Sequence, residues 1–249
     1  MLKKVLAVFG LCMMSASHAQ LATGFNPPRA NCCLAGAAQN LADQLKDWNQ
    51  LGRYHAANEE LRNKPAEPGR VVFMGDSITD SWSLAEAFPG RPYVNRGISG
   101  QTTAQMLVRM YPDVIALQPD AVVILAGTND IAGNNGPQSL EMITQNLMAM
   151  AELARAHNIK VILCALTPIS DKSVSGRKQS ASRPPADILK LNAWLKEYAA
   201  KNQFPYVDYY SAVVDAKGEF RTALSEDGLH PNAHGYQLMK AAVATILKN

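Results

Sequence analysis

The 249-residue sequence is 47% apolar and 18% charged, enough to bury one sizeable core of the kind usual for a single α/β domain. Its formal net charge of +3 includes Lys3 and Lys4 of a leader segment; without those two, 22 basic residues face 21 acidic ones. That balance leaves no electrostatic case for nucleic acid or an anionic membrane surface as a partner.

The leader itself has a basic start at Lys3 and Lys4, an apolar stretch from Val5 to Met14, and Ser17-His18-Ala19 as a small-x-small cleavage site. Residues 1–19 therefore read as a signal peptide cut before Gln20, and the protein as exported, periplasmic or secreted. The apolar run is too short to span a bilayer. Leu11, immediately before Cys12, argues against lipid attachment there. Cys32, Cys33 and Cys164 remain, an odd number at no metal-binding spacing. Cys164, inside an apolar run, is expected to be a buried and inert thiol. Neither a metal nor a cofactor is expected.

Residues 20–66 form an N-terminal segment ahead of the main domain at 67–249. It begins irregularly, through about Ala35. Leu41, Leu45, Trp48, Leu51 and Leu61 then recur at helical spacing, which predicts one or two amphipathic helices within 37–63 packing on the outside of the core. Lys64 to Gly69 is a short linker. Val71 to Met74 is a buried strand by its length and residue types, ended by Gly75-Asp76-Ser77. Pro92 to Ile98 is a second strand. A helix over Ala104–Leu117 follows, capped by Thr102 or Thr103. Ala121 to Ala126 is a third strand, and Ser139 to His157 a helix. Lys160 to Leu166 is a fourth strand. Asp171 to Asp187, with Ser, Gly, Arg, Lys and Pro184-Pro185, interrupts the rhythm and is expected to be a solvated loop, with a lip over a binding site as its alternative. Ile188 to Lys201 is helical, Tyr206 to Tyr209 a last strand, and Pro231 opens the final helix.

Strands that alternate with helices, with no wet face of their own, give a parallel sheet covered on both sides. The fold class is α/β: a three-layer α/β/α domain around five parallel strands with right-handed crossovers.

Four loops carry unusual chemistry: Gly75-Asp76-Ser77, Gly97-Ile98-Ser99-Gly100, Gly127-Thr128-Asn129-Asp130 and Asp227-Gly228-Leu229-His230. Three follow strands of one parallel sheet, so they crowd one rim, where ligands bind. Ser77 alone is either a turn residue and cap or a nucleophile. Pro231 forces His230 into extended backbone, and Asp227 can fold back onto its ring. Ser77, His230 and Asp227 thus supply a nucleophile, a base and an orienting acid. The N–H groups of Ser77 and Gly100 and the Asn129 amide are candidate donors to an oxyanion.

Those four blocks, as Gly-Asp-Ser-Ile-Thr, Ile-Ser-Gly-Gln-Thr, Gly-Thr-Asn-Asp and Asp-Gly-Leu-His, resemble the SGNH or GDSL-type esterase and lipase superfamily over roughly Val71 to Leu247. Asn95 to Thr103 and Gly127-Thr128-Asn129 are similar to the branch of platelet-activating-factor acetylhydrolase catalytic subunits and many bacterial acylhydrolases. The resemblance implies a flavodoxin-like sheet, Ser77 as nucleophile, His230 as base, Asp227 as orienter, and an oxyanion hole at Ser77, Gly100 and Asn129. Asp76 is expected to fix the turn and not to serve as the catalytic acid.

An α/β-hydrolase requires Gly-x-Ser-x-Gly, and Thr79 stands at the second glycine's place. A metal site through His230 and His234 lacks the glutamate of the zinc-protease motif, and Pro231 breaks its helix. His234 is read as a structural residue of the first helical turn, and His55 and His157 as surface residues. No phosphate-cradling glycine motif exists. The expected activity is hydrolysis, through an acyl-enzyme, of small acyl esters of carbohydrates or lipids. Its competitors are acyl transfer by the same triad and a non-catalytic sugar- or partner-binding module. Trp82 is a candidate for stacking on substrate or for packing beneath the loop.

Overall fold

The five predicted strands form, in the expected chain order. The computed structural model describes residues 45–247 apart from 173 and 175, together with helical positions 36, 38, 41 and 42. The leader at 1–19, Cys32 and Cys33 lie outside the described residues. Residues 1–42 and 43–249 separate as two compact units, and the second contains the sheet and all four loops.

Strands β1 (Val71–Gly75), β2 (Tyr93–Gly97), β3 (Ala121–Leu125), β4 (Lys160–Cys164) and β5 (Tyr206–Val207) pair in parallel in the order β2-β1-β3-β4-β5. All five residues of β1 and of β3 are buried, which explains their unbroken apolar character: helices cover both faces. The register puts Gly75 beside both Gly97 and Leu125, so the loops after β1, β2 and β3 leave the sheet at one level. The chain order reverses between β1 and β3, and at such a switch point a crevice opens outside the strands' carboxyl ends.

The helices are α1 (His55–Arg62), α2 (Ser77–Asp80), α3 (Leu84–Ala87), α4 (Thr103–Asp113), α5 (Thr128–Ile131), α6 (Leu140–Ala156), α7 (Pro185–Asn202), α8 (Tyr209–Val213) and α9 (Ala233–Leu247). Helix α4 packs on α6 and α6 on α7, whereas α8 packs on α9, so the helices form two groups around the sheet. The result is the expected three-layer α/β/α fold.

Three expectations are corrected. The final helix starts at Ala233, because Pro231 pairs as an isolated bridge with Ser225 and Asn232 supplies the cap. Asn232 Oδ1 accepts from the N–H groups of His234 and Gly235, which leaves His234 in the first turn, as expected. The helix after β2 stops at Asp113 and continues only as a 3₁₀ turn, Ile115–Leu117.

The third correction concerns residues 45–63. Leu45, Trp48 and Leu51 are exposed, and of the expected stripe in this segment only Leu61, in α1, packs against the core. Polar groups hold the rest. Asn58, 2% exposed, donates to Asp113 and accepts from Arg96, and Gln101 donates to the Asn49 carbonyl. Arg109, wholly buried, holds Asp113 at 2.6 Å from within α4. A buried charge is tolerated only when paired and hydrogen-bonded, and Asp113 satisfies both arginine and asparagine.

Candidate active site

Gly75 ends β1 where any Cβ would overlap the Thr79 side chain, so only glycine permits the tight exit into α2. Asp76 caps that helix, accepting from the Ile78 N–H at 3.0 Å, and Ser77 becomes its first residue. Gly97 is constrained in the same way: a Cβ would collide with the Asp80 nitrogen. The loop beyond it is held by Asp80 Oδ2, which accepts from the Ser99 N–H at 3.1 Å and the Ser99 hydroxyl at 2.7 Å. Gly100 follows with φ +81°, a left-handed conformation suited to glycine.

The loop after β3 is tied to this one. Asp130, buried, accepts from the Thr103 N–H at 3.0 and 2.9 Å, and from its hydroxyl. Asn129 Nδ2 donates to the Gln101 carbonyl at 3.1 Å. These cross-links fix Asn129 against the Gly100 loop.

The fourth loop comes from the other end of the chain. Gly228 has φ +77°, and a Cβ there would overlap the Ser170 carbonyl, so Asp-Gly-Leu-His needs its glycine for a close approach. Asp227 Oδ1 accepts from the N–H groups of Leu229 and His230 at 2.9 and 2.8 Å. Its Oδ2 lies 2.6 Å from His230 Nδ1. Burial pushes the Asp227 carboxyl up, but the bonds from the His230 N–H and ring and from Leu229 outweigh it and hold the group below its ordinary value. An ionised carboxylate only accepts, so Nδ1 carries the ring proton and Nε2 is left as an acceptor. Ser77 Oγ lies 2.8 Å from that Nε2. Residues 153 positions apart are thus brought within hydrogen-bond reach.

Ser77, Gly100, Asn129, Arg177, Arg183 and His230 line one cleft of about 530 Å³. All sequence-predicted site residues meet there or directly behind it. Leu229 is the one apolar side chain among its lining residues; the others are serines, asparagines, arginines, histidine and glycine. Among the described residues no cluster of histidine, cysteine or acidic groups has the makings of a metal site.

Residues 73–238 match the GDSL-like lipase/acylhydrolase family model, two thirds of the sequence. The chain belongs to this family. Among solved structures, the GDSL-type chain is similar to a candidate acylhydrolase of Bacteroides fragilis, with 41% identity and a TM-score of 0.74, over 81% of this chain and 97% of that one. Among curated proteins it is 25% identical to the acetylxylan esterase of Geobacillus stearothermophilus, over 70% of this chain and 91% of that protein. It is 26% identical, over 76% of its length, to an N-acylneuraminate cytidylyltransferase of Streptococcus agalactiae, of which the match spans only 40%.

In this GDSL-type site the loop at 171–187, expected to be solvated with a lip over a binding site as its alternative, takes the alternative: it supplies a wall of the cleft, through residues that the sequence did not single out. Gln179, buried, donates to the Asp227 carbonyl at 2.9 Å, and Arg183 Nη2 donates to Asn129 Oδ1 at 3.0 Å. The one local signal was Arg183 itself, since the proline after it disfavours helical backbone at that position. Trp82 is buried, stacked on Tyr236 with centroids 5.4 Å apart and edge-on to Phe73, so it packs beneath the site rather than facing substrate. Cys164 is buried, with its thiol pushed up by burial, as expected of an inert residue. His55 and His157 are exposed.

Proposed function

We propose that this protein is a serine carboxylic ester hydrolase that removes short acyl groups from carbohydrates, working through an acyl-enzyme. The observation that carries this reading is the continuous line from Ser77 Oγ through the His230 ring to Asp227, at 2.8 and 2.6 Å, opening on the cleft that Gly100 and Asn129 share. Ser77 attacks the acyl carbonyl while His230 Nε2 takes its proton, and Asp227 keeps the ring in the tautomer that can accept. The N–H groups of Ser77 and Gly100 and the Asn129 amide receive the negative charge that develops on the carbonyl oxygen. His230 then gives its proton to the departing alcohol, and water repeats the sequence against the acyl-Ser77 to release the acid.

Carbohydrate rather than lipid is favoured by the walls. A cleft with one apolar side chain among its lining residues gives a long acyl chain no apolar wall to follow, whereas serine, asparagine and arginine side chains suit hydroxyl groups. The likeness to an acetylxylan esterase supports the same choice. The basic, apolar and small-residue pattern of residues 1–19 supports export, which places the substrate outside the cytoplasm.

The test is turnover of p-nitrophenyl acetate, an acyl-length series and acetylated xylo-oligosaccharides by the mature protein. Activity should fall steeply beyond short chains and vanish in Ser77→Ala, with the variant still folded. Undiminished turnover in Ser77→Ala rejects the nucleophile. Transfer of the acetyl group to added sugar with little free acid makes the enzyme a transferase instead.

A further inference from the structure

Asn129 sits at the centre of a chain of bonds that crosses the cleft. Its Nδ2 donates to the Gln101 carbonyl, and its Oδ1 accepts from Arg183 Nη2. A guanidinium carries donors only, so nothing but the amide oxygen can face it. Arg183 thereby decides which way the Asn129 amide is turned. One of the two Nδ2 hydrogens is committed to Gln101, and the second is left for the substrate's oxyanion. A charged donor on the carbonyl oxygen also draws electron density away from the nitrogen, which strengthens the N–H as a donor.

Arg183 is itself held from the other side. Its Nη1 donates to Gln179 Oε1 at 3.4 Å and to Ser182 Oγ at 3.2 Å, and Gln179 Nε2 donates to the Asp227 carbonyl. One buried glutamine and one arginine therefore join the residue that orients His230 to the residue that receives the oxyanion. The guanidinium occupies this place at a cost: Arg183 Nε is buried without a hydrogen-bond partner among the described residues. Burial also lowers the affinity of the guanidinium for its proton, while the charges of Asp76 and Asp227 favour its cationic form.

We propose that Arg183, seated on Gln179, is a positioning residue that locks and polarises the Asn129 amide for the oxyanion, so that the 171–187 loop is a working part of the catalytic centre. This rests on the hydrolase reading. Arg183 touches no reacting atom; it acts through Asn129. Its positive charge also faces the carboxylates of Asp76 and Asp227 and the neighbouring cation of Arg177.

The experiment is a double-mutant cycle on p-nitrophenyl acetate hydrolysis, with wild-type and Ser77→Ala proteins establishing independently that turnover is enzymatic. Asn129→Ala should lower kcat by about 10²–10³-fold, the loss usual for one oxyanion donor. Arg183→Met should lower kcat by at least about tenfold with KM within about twofold, because the lost interaction forms only in the transition state. Combining the two should cost no more than Asn129→Ala alone, since Arg183 works through that amide. Arg183→Lys, which keeps the charge but not the planar fork, should restore only part of kcat. Additive losses in the cycle, or an Arg183→Met enzyme with wild-type kcat, would overturn the proposal. So would a loss of kcat in Arg183→Met matched by an equal loss of folded protein. A wild-type protein inert on every ester while folded would instead reject the hydrolase reading and the Arg183 role with it.

Discussion

The Tyr54 hydroxyl donates to the main-chain carbonyl of Gly97, tying a residue outside the family match to the loop that bears Gly100. The ring is clamped as well, with the Arg96 guanidinium 4.6 Å from its centroid, and the neighbouring Arg53 lies 3.6 Å from Asp80. Asp80 in turn holds Ser99. Residues 49–58 therefore brace the Gly100 loop from behind.

Tyr54→Phe keeps the ring and its stacking and deletes only the bond. Losing one partly buried hydrogen bond costs about 1 kcal/mol, or about 2–4 °C in melting temperature for a chain of this size. The same change should lower kcat severalfold and leave KM nearly unaltered, since the Gly97 carbonyl anchors the loop that the proposed mechanism sets against the transition state. Thermal melts and steady-state kinetics on one preparation check both parts. A variant that melts and turns over like the wild type would show that the brace does not reach the site.

Asp227 makes two contributions that a single substitution separates. Its Oδ1 ties the loop through the Leu229 and His230 N–H groups, and its Oδ2 selects the His230 tautomer. Asparagine can keep the first role. For the second, its amide can donate to Nδ1, which leaves the proton on Nε2 and removes the acceptor that Ser77 needs. Asp227→Asn is therefore expected to lower kcat by about 10²–10⁴-fold with the melting temperature little changed. A kcat near that of the wild type would mean that loop geometry alone is what Asp227 provides.

The sheet and the four loops were legible because their signals are local. An apolar run bounded by glycine and polar residues reports a buried strand at its own position, and Gly75, Gly97 and Gly228 mark close approaches that the chain makes there. What stayed hidden depends on partners far away in sequence. Arg183 and Asn129 are 54 positions apart, and no periodicity announces a guanidinium that ends beside an amide. The stripe of Leu45, Trp48 and Leu51 has a helical repeat yet stays exposed, because Asn58 and the Asn49 carbonyl find Asp113, Arg96 and Gln101, and those polar bonds orient the segment. Pro231 suits a first helical turn in isolation, but its pairing with Ser225 holds it in extended backbone and passes the capping role to Asn232.

Asp76 carries the remaining prediction, which is one of stability against pH. It is fully buried; Oδ1 accepts from the Ile78 N–H, and Oδ2 has no partner among the described residues. Burial raises its pKa from 3.8 to about 6, against the lowering effects of the Ile78 bond and of His230 and Arg183. Between about pH 4 and 6 the native state thus holds a proton that the unfolded chain has already released. Stability must fall as pH rises through that window, by up to about 3 kcal/mol, and the cost is fully present above it. Asp76→Asn cannot ionise and can still accept from Ile78. The difference in melting temperature, variant minus wild type, should therefore climb by about 5–10 °C from about pH 4 to pH 6.5 and then level off. Taking the difference at each pH cancels the other titrating groups, Asp227 among them, whose depressed pKa acts in the opposite sense. A difference that stays flat across the window would show that Asp76 is ionised in the native state throughout it, and that its charge is compensated within the turn it caps.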